Sequence, residues 1–159
     1  MRLIALDIRS LHNVGAIFRS ADAFSVEKLY LCGITGVPPR KEISKTALGS
    51  EQRVVWEYTQ DVNLLVEELK QNGFLIIALE TGDRSVSIIS ILRNLNIKVD
   101  EVGNKKIVLI VGNEVEGIST SVLDLCDSIV NIPMTGDKKS LNVSVATGIA
   151  LFAIQTNLS

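Results

Sequence analysis

The sequence predicts an α/β fold on a mostly parallel sheet of about five or six strands, with helices on both faces. Three observations carry this. Short apolar runs recur along the chain, stretches of helical periodicity separate them, and several runs are apolar at every position, as strands buried on both faces are.

RLIALDI, near the start, reads as a buried strand. After a loop at residues 10–12, Val14, Ile17, Phe18, Ala21 and Phe24 recur at spacings of three and four, predicting a helix with one apolar face and Asn13 as its cap. KLYLCG is a second strand. In ITGVPPRKEISKTALGSEQ, Gly36 and the Pro38-Pro39 pair break regular structure, so a long loop with a helical turn at most is expected. Loops of that length are often functional. RVVWEY reads as a strand, and DVNLLVEELKQNG as a helix with Asp61 as N-cap and Gly73 as stop. FLIIALE, KKIVLIVG and DSIVNIP are three further apolar strands. Ile88, Ile91, Leu92 and Leu95 predict a helix between the first two of these; Ser119 is placed to cap another, and the last helix is expected to start near Ser140. In such sheets ligands sit beyond the carboxyl ends of the strands, which points to the loops after Glu80, Val111 and Pro133.

With 159 residues, 47% of them hydrophobic, the chain can bury a sizeable core, and a single domain over residues 1–159 is expected. No window reaches the roughly 18 uninterrupted apolar residues of a membrane span, and Asp7 interrupts the first run too early for the core of a signal peptide. A cytoplasmic location is the expectation. The net charge of -2 gives no bulk support for a nucleic-acid partner. Any such partner must meet a local patch, with Arg9 and Arg19, the segment PPRKEISK, and Lys138 and Lys139 as candidates; solvated surface is the other reading of these charges. Cys32 and Cys126 sit in apolar surroundings without metal-ligand spacing and read as buried thiols.

Three stretches could carry chemistry. VGNEVEG, residues 111–117, follows a strand and has two glycines, yet lacks the Lys and Ser/Thr of a phosphate loop and the dinucleotide glycine pattern. Glu114 and Glu116 would repel a phosphate. The turn suits an adenosine edge, a ribose, an ammonium or a sulfonium, unless it is simply an acidic turn before a helix. In HNVGAIFRSADAF, Asn13 and Arg19 are expected to share a side of their helix, where the guanidinium needs an anion: a phosphodiester or carboxylate ligand, or its neighbours Asp22 or Asp7. His12, the one histidine, is either a general base or a loop residue. SLNVSVATG, residues 140–148, sets three hydroxyls and an amide among apolar residues, more hydrogen-bonding capacity than a buried helix face needs. No histidine pair, cysteine cluster or carboxylate pair suggests a metal.

Taken in order, NVGAIFRSADAF, IVLIVGNEVEGIS and NIPMTGDKKSLNVSVATGIALF resemble the three motifs of the SPOUT superfamily of RNA methyltransferases, in its SpoU/TrmH type. They cover under half the chain. The resemblance implies S-adenosylmethionine as methyl donor and a ribose 2'-oxygen of tRNA or rRNA as acceptor. It also implies a deep C-terminal trefoil knot, which periodicity does not predict and which is nearly absent among proteins at large. By the family pattern the cofactor lies among three loops. Leu79, Glu80 and Thr81 stand in one, Gly112, Asn113 and Gly117 in the next, and Ile132, Met134 and Leu141 in the third. Backbone groups of Gly112, Ile132 and Leu141 are expected to read adenine in an apolar slot.

Arg19 matches the family's catalytic arginine. A guanidinium has no lone pair to accept a proton at neutral pH, so its expected role is to grip the nucleotide's phosphate while phosphate or water takes the proton. Asn13, Glu114, Ser140 and Asn142 would orient Arg19, the ribose and the methionine end. The family is typically a homodimer, with the last helix and the first motif helix near the interface. Two departures stand out: Ser25 follows Phe24 where glycine is frequent, and the chain shows neither the basic tail nor the N-terminal RNA-binding extension of some relatives. RNA, rather than DNA or a membrane, is therefore expected to meet Arg9, Arg40, Lys41, Lys45, Arg53, Lys138 and Lys139. A catalytically silent knotted RNA-binding or ribosome-assembly factor is the alternative.

Overall fold

The computed structural model describes residues 1–94 and 106–157. Leu95 of the helix predicted from Ile88, Ile91, Leu92 and Leu95, and Lys105 of the run KKIVLIVG, lie outside the described residues.

Among the described residues seven strands form one sheet: β1 (Arg2–Leu6), β2 (Lys28–Cys32), β3 (Trp56–Thr59), β4 (Leu75–Leu79), β5 (Val86–Ser87), β6 (Ile107–Val111) and β7 (Ser128–Asn131). Their order is β3-β2-β1-β6-β4-β7-β5, and every pairing between them is parallel. Six were expected from apolar runs. The seventh, β5, is two residues long, too short to leave a period in the sequence. Central β6 is buried at all five positions, with Val111 in register with Ala5 on one side and Leu79 on the other.

Among the described residues seven helices, α1 (Leu11–Ala23), α2 (Lys41–Ala47), α3 (Ser50–Arg53), α4 (Val62–Gln71), α5 (Ile88–Asn94), α6 (Thr120–Leu123) and α7 (Val143–Asn157), cover the sheet. Because side chains alternate along a strand, the sheet feeds two cores. Leu3, Leu29, Leu31 and Leu109 pack with Ile17 and Phe18 of α1 and Leu151 and Ile154 of α7. Ile4, Ile76, Val108 and Ile110 pack with Val66 and Leu69 of α4 and Val122 of α6. Each fully buried side chain of this kind contributes about 1.5–3 kcal/mol. Among the described residues no helix is long and apolar enough to cross a membrane.

Three helix boundaries depart from expectation. The cap of α1 is Ser10, not Asn13: the Ser10 hydroxyl accepts from the Asn13 backbone N–H at 3.3 Å, which starts the helix earlier and frees the Asn13 side chain. The last helix starts at Val143, not near Ser140, with the Asn142 side chain accepting from the Ser144 backbone at 2.9 Å. The expected long loop is half helical, because Ile43 and Ala47, one turn apart, are buried in the core that α1 shares. Gly15 of α1 makes that packing possible, since a Cβ there would collide with Thr46 and the Ile43 carbonyl of α2. Asp61, as expected, caps α4, accepting from Leu64 N–H at 3.1 Å.

Candidate functional site

Parallel strands end on one side of the sheet, and β6, β4 and β7 are neighbours in it. The loops that follow them, after Val111, Leu79 and Asn131, must therefore meet. They enclose a cavity of about 440 Å³, within the range of small-molecule sites. All nine residues assigned above to cofactor binding line it: Leu79, Glu80 and Thr81, then Gly112, Asn113 and Gly117, then Ile132, Met134 and Leu141. Ser140, Asn142 and Glu114 line it as well.

The walls are held by a few specific bonds. Glu80 accepts from Thr81 N–H at 2.8 Å with one oxygen and from Ile118 N–H at 2.9 Å with the other, pinning the loop after β4 to the loop after β6. Gly117, at φ +69, allows this; a Cβ on it would run into the Glu80 carboxylate. Asn113 is buried; its amide donates to the Asp7 carbonyl at 2.9 Å, while its oxygen accepts from Val115 and Glu116 N–H groups at 2.8 and 3.0 Å. One side chain thus shapes the 113–117 turn and ties it to the end of β1.

At the rim the three motif stretches are bonded to one another. Glu114 accepts from the backbone N–H groups of Arg9 and Ser10 at 3.0 and 3.1 Å and from the Asn13 amide at 2.9 Å. The Asn13 oxygen accepts from the Asn142 amide at 3.1 Å, and the Asn142 oxygen accepts from the Ser144 hydroxyl at 2.7 Å. Burial opposes the Glu114 charge, but the donors from Asn13, Arg9 and Ser10 outweigh it and hold the carboxyl below its ordinary pKa. An ionised carboxylate with three donors is a weak base and a firm structural tie.

Arg19 is not part of this cavity. Six residues advance a helix by about 9 Å and leave two side chains about 120° apart, so Arg19 does not share a side with Asn13 as expected. It lines a separate shallow depression with Ala16, Ser20, Phe24 and Lys45. Neither acid proposed as its neighbour takes it: Asp22 is held by Arg53 and Ser50, and Asp7 accepts from Ile34 N–H at 2.9 Å. The Arg53 guanidinium, foremost, and the Ser50 hydroxyl lower the Asp22 pKa.

Of the other basic candidates, Arg53 is thus engaged within its own fold, and Arg9 reaches Glu116 at 3.4 Å. Lys139 lines the cavity. Arg40 precedes α2, Lys41 and Lys45 lie on it, and Lys138 stands in the loop between β7 and α7. His12 is an exposed residue of α1 rather than of a loop. Burial pushes the Cys32 thiol up to about 12 and the Cys126 thiol up to about 11, leaving neither a nucleophile. Among the described residues no group of acids, histidines and cysteines could hold a metal ion.

Sequence reasoning missed two lining residues, Asn131 and Val115, the first with a visible task. Asn131 donates to the Ser85 hydroxyl at 2.7 Å, which donates to the Gly82 carbonyl, so it fixes the loop after β4. Its signal was an amide closing an apolar run. Val115, 77% exposed between two glutamates at the mouth, was legible as an apolar residue where a solvated turn has no need of one.

A sequence model of the SpoU rRNA Methylase family matches residues 1–152. An uncharacterised tRNA/rRNA methyltransferase of Borreliella burgdorferi is 31% identical over 157 residues, 99% of this chain and 64% of that protein. The tRNA (guanosine(18)-2'-O)-methyltransferase of Aquifex aeolicus is 35% identical over 153 residues, 96% of this chain and 67% of that protein. Among solved structures, an AdoMet-bound rRNA methyltransferase from Sinorhizobium meliloti superposes with a TM-score of 0.83 at 27% identity, covering 99% of this chain and 57% of that one. The chain thus spans 64% and 67% of the length of these two curated relatives.

Proposed function

The chain belongs to the SpoU rRNA methylase family, and on that premise we propose that it transfers a methyl group from S-adenosylmethionine to a ribose 2'-oxygen of tRNA or rRNA. The observation that carries the proposal is the rim itself: Glu114, Asn13 and Asn142, one from each motif stretch, are joined by hydrogen bonds at the mouth of one cavity.

The residues present fit the donor. The cavity is large enough, its walls are part apolar and part backbone, and at Gly112 a Cβ would press on Ile118 and on the Gly117 backbone, so the wall admits no side chain there. S-adenosylmethionine, when bound, supplies a methyl group activated on a sulfonium. Gly112, Ile132 and Leu141 would offer backbone groups to adenine, with Leu79, Glu80, Thr81, Asn113, Gly117 and Met134 closing the walls around it. Ser140 and Asn142 would orient the ribose. Glu114, its oxygens already accepting from three donors, is better suited to holding the rim than to taking the proton, which leaves a phosphate or water as acceptor.

Arg19 lies outside the cavity of its own chain, and a second copy that brings its own Arg19 to the cavity mouth would reconcile that position with a role on the acceptor phosphate. A homodimer is accordingly part of the proposal. Val145, Ile149 and Phe152 recur on one stripe of α7 at 51, 40 and 56% exposure, and Phe152 meets Phe24 beside the Arg19 depression. Apolar stripes of this kind favour burial against a partner. The deep trefoil knot of the family belongs to the same reading, as does an RNA surface built from Arg40, Lys41, Lys45 and Lys138, with Arg9 and Arg53 in supporting positions. Binding through that surface should weaken with added salt.

Mass spectrometry of tRNA and rRNA nucleosides from cells with and without this gene tests the activity. One 2'-O-methyl nucleoside is expected to vanish from one RNA class. If every such mark persists, the activity is wrong and the silent RNA-binding reading takes its place.

A further inference from the structure

Among the described residues, three charged side chains line the cavity: Glu80, Glu114 and Lys139. The two carboxylates are already engaged. Glu80 accepts from two backbone N–H groups, and Glu114 from two backbone N–H groups and an amide. Lys139 is different. It is exposed, and among the described residues it takes part in none of the ion pairs or hydrogen bonds. An ammonium at the open edge of a cavity, on a long stem with three rotatable donors, is matched by an oxyanion.

We infer that Lys139 supplies the counter-charge for an oxyanion seated at the cavity mouth, either the carboxylate of the donor's amino-acid tail or a phosphate of the acceptor RNA. The inference rests on the methyl-transfer reading above. Among the described residues the lining carries two carboxylates, both tied to N–H groups of the protein, and one untied ammonium, so Lys139 is the group left to meet the donor's one carboxylate. Lys139 also immediately precedes Ser140, Leu141 and Asn142, so an oxyanion held there lies next to the residues assigned to the ribose and the adenine.

The test compares wild type, Lys139→Met and Lys139→Arg by calorimetry with S-adenosylhomocysteine and with its decarboxylated analogue, which keeps the ammonium and lacks the carboxylate. Affinity for total tRNA and rRNA from gene-deleted cells is then measured with S-adenosylhomocysteine saturating. If the anion is the tail carboxylate, Lys139→Met weakens S-adenosylhomocysteine about tenfold, the scale of a charge-assisted hydrogen bond at a partly exposed site, and spares the analogue. Lys139→Arg keeps most of the affinity. If the anion is a phosphate, both small molecules bind as in wild type, while RNA affinity falls and its salt dependence flattens. Equal loss for both small molecules, or no change in any of the three, overturns the inference. A wild-type protein that binds neither small molecule would instead refute the methyl-transfer reading, so the two failures are distinct.

Discussion

Replacing Gly117 with alanine puts the cavity's construction to a quantitative test. At φ +69 a Cβ costs roughly 1–2 kcal/mol of left-handed strain. The added methyl also meets the Glu80 carboxylate, the mobile end of a side chain, which must move and release the N–H groups of Thr81 and Ile118. Thr81 is exposed and regains water, whereas the Ile118 group is part-buried, so its loss adds about 1–2 kcal/mol. The sum, about 3 kcal/mol, lowers Tm by about 6–12 °C for a chain of this size. Since the displaced carboxylate lines the cavity, affinity for S-adenosylhomocysteine should fall with it. Scanning calorimetry and isothermal titration read the two effects, with Gly136→Ala as reference: that glycine has nothing within 4 Å and no positive φ. A Gly117→Ala protein that melts and binds like Gly136→Ala would refute the reasoning.

Three further outcomes are expected. Arg19→Ala should lower methylation at least about a hundredfold while S-adenosylhomocysteine binds as in wild type, because Arg19 is outside its own chain's cavity; near-normal turnover would remove it from the chemistry. Glu114→Gln sets an amide donor against N–H groups and should melt lower than wild type at neutral pH. The folded pKa of Glu114 is depressed, so its contribution is complete above the unfolded value of about 4.3 and is lost as pH falls through the folded one. The Tm gap between the two proteins should accordingly hold from pH 8 to 5 and close in stronger acid; a gap that widens in acid contradicts the sign. Ile149→Asp, finally, should yield monomers in sedimentation velocity and impair methylation, and a dimer that persists would move the interface elsewhere.

The parts of the molecule legible in sequence are those with a local cause. Apolar runs such as FLIIALE predict β4 because a strand buried on both faces needs every position apolar, and Asp61 marks a helix start because its carboxylate accepts from Leu64. The cavity residues were readable only as members of an ordered motif set. Nothing in the periodicity near Glu80 announces that its carboxylate bridges to Ile118, 38 positions later. The misplaced cap on α1 has the same origin, since Ser10 and Asn13 are both good caps and the choice depends on Glu114 claiming the Asn13 amide. The α2 and α3 helices were hidden because Pro38, Pro39 and Gly49 bound segments too short for a strong period, and packing on α1, not propensity, makes them helical.

The bond between Asn13 and Asn142 joins positions 129 apart in the chain. Emerging from the ribosome, the polypeptide can pair β1 with β2 early, yet the cavity mouth stays unmade until residues 140–144 have been synthesised and delivered to α1. Contacts so distant are slow to form, because much of the chain's freedom must be lost before they reward it. A chain cut before Asn142 therefore lacks the tie to Asn13 and one wall of the cavity, however much of the sheet it has already paired.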